Sequence, residues 1–296
     1  MKSREDALEQ DRGHITTGGC PWDTLHIYYI EGDARTEKME MSPDFIGNWV
    51  EDGFSFLFFS RPAEHLVRYL VESQKGLTLI DNYAMSYDDW LGEKPTTFSI
   101  GRFTVSPPWE AVDRFYLTCF GAYHLVLDPG VVFGTGTHPT TRDCLEFLEL
   151  ALRDRPASKT MDLGCGTGLL SLAAARMNCP KVLAVDFNAL AVRTTRHNIR
   201  LNGLDDRILA VQGLAEDFVD MDSDLLLANI HYDIMKKILK AEGFIRKKRF
   251  ILSGILNSQA PLVRAALEGL PVKILAHRCA GSVWHTFYGE TTGCST

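Results

Sequence analysis

Three alternating glycines, Gly164, Gly166 and Gly168, separate a strand-like apolar run from a helix-like run. Glycine permits a tight backbone turn and the close approach of a ligand, and the first N–H groups of the following helix are free to donate to that ligand. Asp186 ends the next strand-like run, 22 residues after Gly164. A carboxylate there can accept hydrogen bonds from both ribose hydroxyls of an adenosine-containing ligand. The pattern therefore predicts a nucleoside-binding turn, and a purely structural turn explains it less well.

Two kinds of cofactor suit such a turn. A dinucleotide fingerprint has the spacing G-x-G-x-x-G, but the residue three places after Gly166 is Leu169, so this fingerprint fails. The observed spacing is D-x-G-x-G-x-G, beginning at Asp162. This pattern resembles motif I of the class I methyltransferases, which bind S-adenosylmethionine. An NAD-dependent dehydrogenase is the weaker alternative.

A second segment, GTGTHPTT at residues 134–141, combines flexible glycine backbone with a row of hydroxyl groups at Thr135, Thr137, Thr140 and Thr141. Pro139 suits the first turn of a helix, which would place the last two threonines in that turn with their hydroxyls free to donate. A simpler interpretation is that Thr137 or His138 only caps this helix.

Together these segments resemble the bacterial methyltransferases of large-subunit ribosomal protein eleven, the PrmA type. Further likenesses are the pair Asp89–Trp90 and the segments FTVSPPWE at 103–110, LLLANI at 225–230 and FILSGILNSQA at 250–260. The resemblance covers about residues 88–270. It implies transfer of methyl groups from S-adenosylmethionine to amino nitrogens of a ribosomal protein, either on a lysine side chain or on the N-terminal amine.

The resemblance also implies which residues hold the cofactor. Motif by motif, the contacts fall on Thr141, Gly164, Gly166, Asp186 and Asn229. A loop over the methionine end of the cofactor is expected from Phe133, Gly134 and Thr135. Asn229 ends a strand-like run, where an open α/β sheet places its ligand crevice, and its amide could also position an incoming amine. A plain turn residue is the alternative for Asn229.

The residues that follow Asn229 depart from the small apolar ones usual in the family, since this chain has His231, Tyr232 and Asp233. A larger polar wall would change the acceptor pocket, and His231 could orient a substrate group or act as a base. A surface histidine in a loop is an equally simple interpretation. The departure keeps open a methyltransferase for a different protein or a small molecule. A protein that binds the cofactor without turnover is a further alternative, against which the intact set of Gly164, Gly166, Asp186 and Asn229 argues.

From about residue 124, short apolar runs alternate with helical patterns, which is typical of parallel βαβ units. The predicted strands are 124–127, 160–163, 182–186, 207–211, 225–229 and 250–253. The predicted helices are 140–152, 168–177, 189–201, 233–240 and 258–267. The last two runs, 272–275 and 283–288, have no helix between them and predict an antiparallel pair. The alternation therefore predicts an α/β fold, and the resemblance implies that residues 124–296 form a Rossmann-like, doubly wound class I methyltransferase domain.

The front of the chain gives a weaker signal. Residues 1–22 predict a flexible tail, and residues 23–87 a small α+β domain with strands at 25–30, 54–59 and 77–80 and a helix that opens at Pro62. The family carries a ferredoxin-like substrate-recognition module there, of which this segment could hold a reduced version. Residues 88–123 are interpreted as a connector with a hairpin at 98–105.

Charge is uneven along the chain, whose formal net charge is −7. Residues 1–105 hold 10 Lys/Arg against 18 Asp/Glu, a balance of −8, and residues 106–296 hold 21 against 20, a balance of +1. Proteins that bind nucleic acid are more often basic, so direct nucleic-acid binding is not expected. An acidic front half suits a basic protein substrate, and solubility is the simpler explanation.

Composition also bears on location. No apolar run approaches the roughly 20 residues that cross a bilayer, and the charged N-terminus lacks the apolar core of a signal peptide. The seven cysteines are scattered and suggest neither a disulfide framework nor a zinc site. We therefore expect a cytoplasmic protein with no membrane association and no metal.

Overall fold

The computed structural model describes residues 22–92, 95–110, 112 and 121–292. The chain divides into two compact units, one formed by residues up to 95 with 109 and 110, the other by 96–108 and the residues from 112 onward. The boundary thus falls inside the expected connector 88–123. The expected tail, 1–22, lies outside the described residues except for Trp22.

The first unit contains a four-stranded antiparallel sheet in the order β2-β3-β1-β4. Its strands are β1 (Thr24–Glu31), β2 (Phe45–Glu51), β3 (Phe54–Phe59) and β4 (Thr78–Ser86). Its helices are α1 (Glu64–Ser73) and the short α2 (Tyr87–Leu91). The sequence did not predict β2, which contains Gly47 and Asn48, two residue types that are depleted in strands. It predicted only the start of β4, because this edge strand is largely exposed and does not alternate apolar with polar residues.

One face of this sheet is covered by α1. Tyr28 and Ile30 of β1 pack with Leu57 of β3 against Val67 and Leu70 of α1. The Tyr28 hydroxyl also accepts a hydrogen bond of 2.7 Å from the backbone N–H of Ala63, just before the helix. Since side chains alternate along a strand, the neighbours of these core residues lie on the opposite face of the sheet.

The second unit is built on a seven-stranded sheet in the order β10-β9-β8-β11-β12-β14-β13. Its strands are β8 (Thr160–Leu163), β9 (Val182–Asp186), β10 (Ile208–Gln212), β11 (Leu225–Asn229), β12 (Arg249–Leu256), β13 (Val272–Ala280) and β14 (Trp284–Thr291). The first five are parallel, and β14 runs antiparallel to both β12 and β13. The predicted terminal antiparallel pair is confirmed.

Helices cover both faces of this sheet. They are α3 (Pro139–Leu152), α4 (Leu169–Arg176), α5 (Ala189–Asn202), α6 (Ala215–Phe218), α7 (Tyr232–Lys240) and α8 (Ala260–Glu268). Strand β11 illustrates the layering, because Leu225 and Leu227 belong to the core beneath α3, α4 and α5, whereas Leu226 and Ala228 belong to the core beneath α7 and α8. This is the doubly wound α/β arrangement that the alternating pattern predicts. No helix among the described residues is both long and apolar enough to cross a membrane.

One predicted strand has a different partner. The run at 124–127 is a strand, β7 (Tyr123–Val126), but it does not belong to the large sheet. It pairs in parallel with β6 (Phe103–Ser106), which forms the predicted hairpin with β5 (Phe98–Ile100). Its assignment to the parallel βαβ series was wrong, because apolar periodicity identifies a strand without specifying its neighbour.

Candidate cofactor and acceptor site

The glycine turn lies at the carboxyl end of β8. Gly164, Gly166 and Gly168 have φ angles of +74°, +55° and +83°, a region that side chains other than glycine rarely adopt. A Cβ atom at Gly166 would lie 2.5 Å from the carbonyl oxygen of Phe133, and one at Gly164 would collide with the side chain of Ile230. The sequence therefore needs glycine here both for the turn itself and for the segments that pack against it.

Asp186 ends β9 beside this turn. Its Oδ2 accepts a hydrogen bond of 3.0 Å from the N–H of Gly166, and its Oδ1 accepts one of 3.0 Å from the N–H of Asn188. Burial raises the pKa of the carboxyl, and the two backbone donors partly offset that effect. A carboxylate offers about four acceptor positions, so two remain for a ligand. The carboxylate is thus held in a fixed orientation with capacity to bind a diol.

The predicted loop at 133–135 is joined to the glycine turn through Thr167. The Thr167 N–H donates to the carbonyl of Phe133 at 3.1 Å, and its hydroxyl donates to the carbonyl of Gly134 at 2.6 Å. Thr135 contacts Thr137 through their hydroxyls at 3.1 Å. The Phe133 side chain is 69% exposed. Thr167 thus fixes the loop backbone beside the glycine turn, and the Phe133 ring projects from that loop into solvent.

Asn229 ends β11 and meets the first turn of α3. Its Nδ2 donates to the hydroxyl oxygen of Thr140 at 3.2 Å and lies 3.5 Å from that of Thr141. His138 is the N-cap of α3, and its Nδ1 accepts from the backbone N–H of Thr140 at 3.3 Å. The same Nδ1 lies 2.7 Å from the Thr140 hydroxyl. The capping role considered for His138 is confirmed, and the structure adds a hydrogen-bonded chain from Asn229 through Thr140 to His138.

The direction of this chain follows from its last member. Since Nδ1 of His138 accepts a backbone N–H, it carries no proton, and the Thr140 hydroxyl must donate to it. The hydroxyl oxygen of Thr140 is then an acceptor for Asn229 Nδ2. This orients the carboxamide, and among the described residues no donor is bonded to Asn229 Oδ1. Burial lowers the pKa of His138, which favours the neutral ring that the chain requires.

His231 lies at the start of α7, two residues after Asn229. Its side chain is exposed, and among the described residues it forms no hydrogen bond with Asn229 or the two threonines. Its neighbours face the surface of α7: the Asp233 carboxylate pairs with Lys236 at 2.8 Å, and the Lys236 Nζ lies 5.0 Å from the centre of the Tyr232 ring. The structure thus brings Thr141 and Asn229 together but leaves the His231 side chain outside this cluster.

Two contributors were not anticipated as parts of the site. Trp284, at the start of β14, packs edge-on against the His138 ring with centroids 5.0 Å apart. Gly254 of β12 has a φ of +80°, and a Cβ there would lie 2.6 Å from the carbonyl oxygen of Ile230. A glycine inside a strand indicates a close approach of another backbone segment, so Gly254 in the segment LSGIL could have predicted this contact. No spacing rule links Trp284 to His138.

These groups fit S-adenosylmethionine. The remaining acceptor positions of Asp186 match a ribose diol. The Phe133 ring adds exposed apolar surface near the turn. Among the described residues, no three His, Cys, Asp or Glu side chains are grouped so as to hold a metal ion.

Comparison with known proteins finds relatives named ribosomal protein L11 methyltransferase. The ribosomal protein L11 methyltransferase from Oceanobacillus iheyensis is 30% identical over 271 residues, which cover 88% of this chain and 80% of that one. The enzyme of the same name from Syntrophomonas wolfei is 36% identical over 180 residues, which cover 58% of this chain and only 55% of the relative's length.

A solved structure and a family model agree with these relatives. The ribosomal protein L11 methylase from Lactobacillus delbrueckii subsp. bulgaricus superposes with a TM-score of 0.58 at 26% identity, covering 67% of this chain and 99% of that one. The model of the family described as ribosomal protein L11 methyltransferase (PrmA) matches residues 68–289. The chain belongs to the ribosomal protein L11 methyltransferase (PrmA) family.

Proposed function

We propose that this protein transfers methyl groups from S-adenosylmethionine to an amino nitrogen of a ribosomal protein, on a lysine side chain or the N-terminal amine. Family membership and the names of the relatives support the activity and the class of substrate. The observation in the structure that carries the proposal is the Asn229 carboxamide, which Thr140 orients. It lies at the carboxyl ends of the parallel strands, where the glycine turn and Asp186 also lie.

The cofactor end of the site is assigned to residues that surround the glycine turn. Asp186 would accept the ribose hydroxyls, and the turn at Gly164 and Gly166 would present its backbone to the ligand. The hydroxyl of Thr141 and the loop from Phe133 to Thr135 would hold and cover the methionine end. When bound, S-adenosylmethionine supplies a methyl group on a sulfonium centre, which needs no further activation by the protein.

The acceptor end is assigned to Asn229. Its Oδ1 would accept an N–H of the incoming amine and so aim the nitrogen lone pair at the methyl carbon, while Nδ2 stays bonded to Thr140. Ile230 and Phe133 would provide apolar surface beside the bound amine, and desolvation favours the unprotonated amine. As the nitrogen–carbon bond forms and the carbon–sulfur bond breaks, the amine nitrogen becomes positive and later releases its surplus proton. His231 remains a candidate to orient the acceptor or to accept this proton.

The first unit is assigned to substrate recognition. None of the residues assigned to the cofactor lies in it, and the first 105 residues carry a balance of −8, which suits a basic protein. Ribosomal proteins are typically basic. That the chain binds neither nucleic acid nor membranes directly, and that it acts in the cytoplasm, remain predictions.

The direct experiment incubates the full chain with methyl-labelled S-adenosylmethionine and total large-subunit ribosomal proteins, followed by electrophoresis. We expect label in one protein of the mixture. The residues His231, Tyr232 and Asp233 favour a second candidate, an acceptor that is another protein or a small molecule. No label in any ribosomal protein, with normal binding of S-adenosylhomocysteine, would overturn the proposed substrate. Transfer of the labelled methyl group to small amines in a cell extract would then support the second candidate. No transfer to any acceptor would indicate that the protein binds the cofactor without turnover.

A further inference from the structure

Four aromatic side chains lie next to one another on the sheet face of the first unit that α1 does not cover. Tyr29 of β1 is paired with Phe56 of β3, and Phe56 is paired with Trp49 of β2. The Tyr29 ring stacks on that of Phe56 with ring centroids 4.8 Å apart. The ring centroid of Phe54 lies 5.2 Å from that of Tyr29. All four side chains are partly exposed, whereas Tyr28 of β1 is buried on the opposite face. We call Tyr29, Trp49, Phe54 and Phe56 the aromatic face.

Carboxylates flank the aromatic face. Glu31 of β1 and Glu51 of β2 are the two cross-strand partners of Phe54, and Asp81 of β4 is the partner of Tyr29. Residues paired directly across strands point to the same side of a sheet. All three carboxylate residues are exposed. Strands β1 to β4 contain no lysine or arginine, so these strands themselves contribute π systems and negative charge to the surface.

This combination selects one class of ligand over another. Aromatic rings on a four-stranded sheet can stack nucleic-acid bases, but a bound strand also needs lysine or arginine near its phosphates. Here the groups at the edges are carboxylates, which repel phosphate. Cations are attracted both to ring faces and to carboxylates, and the planar guanidinium of arginine can stack on a ring while donating to a carboxylate.

We propose that the aromatic face, together with Glu31, Glu51 and Asp81, binds an arginine-containing basic segment of a protein. The match to the family model begins at residue 68, so strands β1, β2 and β3, which carry the aromatic face, lie outside it. Identifying the bound protein with the methyl acceptor rests on the proposed function. The binding itself does not depend on that identification.

The test uses the full chain and three fluorescent probes: a nine-residue peptide of alternating glycine and arginine, its glutamate counterpart, and a twelve-nucleotide oligouridine. We expect anisotropy titrations to show binding of the arginine peptide only, weakening as salt rises. Tyr29→Ala should weaken this binding about tenfold. The matched control is Tyr69→Ala, an exposed tyrosine on α1, which should leave it unchanged.

A charge variant keeps the test meaningful where an aromatic substitution disturbs the sheet. The triple change Glu31→Gln, Glu51→Gln and Asp81→Asn removes no apolar contact and should weaken peptide binding at least tenfold. Its control is Glu72→Gln on the exposed side of α1. Circular dichroism checks that each variant is folded. Equal peptide affinity in the triple variant and its control would overturn the proposal, as would tighter binding of oligouridine than of the arginine peptide.

The result is separable from that of the proposed function, because these titrations contain no methyl donor. Peptide binding that the triple variant loses, combined with no methylation of ribosomal proteins, would support the surface and reject the activity. Methylation by a chain that does not bind the arginine peptide would support the activity and reject the surface.

Discussion

Asn229 Nδ2 lies 3.2 Å from Thr140 Oγ1 and so connects the end of β11 to the first turn of α3 across 89 positions of the chain. The contact uses one end of the carboxamide for structure and leaves the other end for a ligand. A side chain that is anchored in this way loses little further freedom when it binds an amine, which is the condition for orienting the amine accurately.

The first prediction concerns the anchored amide. Asn229→Ala should lower turnover by about thirtyfold, roughly 2 kcal/mol in transition-state stabilisation, because it removes one oriented polar group. The affinity for S-adenosylhomocysteine should fall by much less. Turnover at saturating cofactor and calorimetry separate the two effects, and Asn82→Ala, at an exposed position on β4, is the control. Full turnover of Asn229→Ala at saturating cofactor would make Asn229 a purely structural residue.

The second prediction concerns the chain that orients Asn229. Thr140→Val removes the hydroxyl between His138 and Asn229, and His138→Ala removes the acceptor that directs this hydroxyl. Each change should lower turnover about tenfold, and the double variant should be no worse than the more damaging single change, because the groups act in series. Additive losses in this double-mutant cycle would argue against a chain. Since an N-cap is also lost in His138→Ala, the thermal midpoint of that variant must be measured.

Acid should affect the same hydrogen-bonded chain from His138 to Asn229. Burial keeps the pKa of His138 below its ordinary value of 6.5, so the ring is neutral at pH 7 and takes up a proton only in more acidic solution. Protonation of Nδ1 would reverse the donor pattern at Thr140. Turnover of the wild type should therefore fall as the pH is lowered below 6.5, beyond what amine protonation causes, and this additional fall should be missing in Thr140→Val. Parallel pH profiles of the two proteins would contradict this account.

The third prediction concerns the ribose site. Asp186→Ala removes charge-assisted hydrogen bonds of about 1.5–3 kcal/mol each, so S-adenosylhomocysteine should bind roughly tenfold to a hundredfold more weakly. Because Asp186 also accepts from Gly166 and Asn188, Asp186→Asn is the better-folded comparison. Unchanged calorimetric affinity in both variants would remove Asp186 from the cofactor site.

The fourth prediction concerns Asp162, the first residue of the glycine motif. Burial raises the pKa of its carboxyl to about 7, although Ser171 donates to it at 2.6 Å. A carboxyl whose pKa is higher in the folded state stabilises the fold while protonated and loses that contribution as pH rises through the folded pKa. The free energy of unfolding of the wild type, relative to Asp162→Asn, should thus decrease by roughly 1.4 kcal/mol for each pH unit between about pH 4 and pH 7, and level off above pH 7 where both states are ionised. Denaturant titrations at pH 5, 6, 7 and 8 measure this slope and its end, and a difference that stays constant from pH 5 to pH 7 would contradict it.

The sequence predicted those parts of the fold that repeat a simple local rule. Strands β9 and β11 end where the apolar runs end, because strands buried on both faces are almost wholly apolar. Strand β2 was not predicted because Gly47 and Asn48 interrupt its apolar pattern. Strand β7 was assigned to the wrong sheet because strand partners are set by long-range packing. Residue types and spacing identify a strand but not its neighbour.

The same distinction holds for the site. The glycine turn and Asp186 could be predicted because their spacing is short and the chemistry requires those residue types. The resemblance predicted Thr141 and Asn229 as site residues, and in the structure Asn229 Nδ2 lies 3.5 Å from Thr141 Oγ1. Neither route linked His138 to Asn229 or Trp284 to His138, because these contacts join α3, β11 and β14, which meet only in the folded chain.

Whether the protein transfers methyl groups to an amino nitrogen of a ribosomal protein is decided by locating the transferred group. Large-subunit ribosomal proteins are incubated with the full chain and labelled S-adenosylmethionine, and the labelled protein is sequenced by tandem mass spectrometry, with Asn229→Ala run in parallel. We predict a methyl group on a lysine Nζ or on the N-terminal amine, strongly reduced with the variant. A methyl group on oxygen, sulfur or ribosomal RNA, or no methylated ribosomal protein at all, would contradict the account.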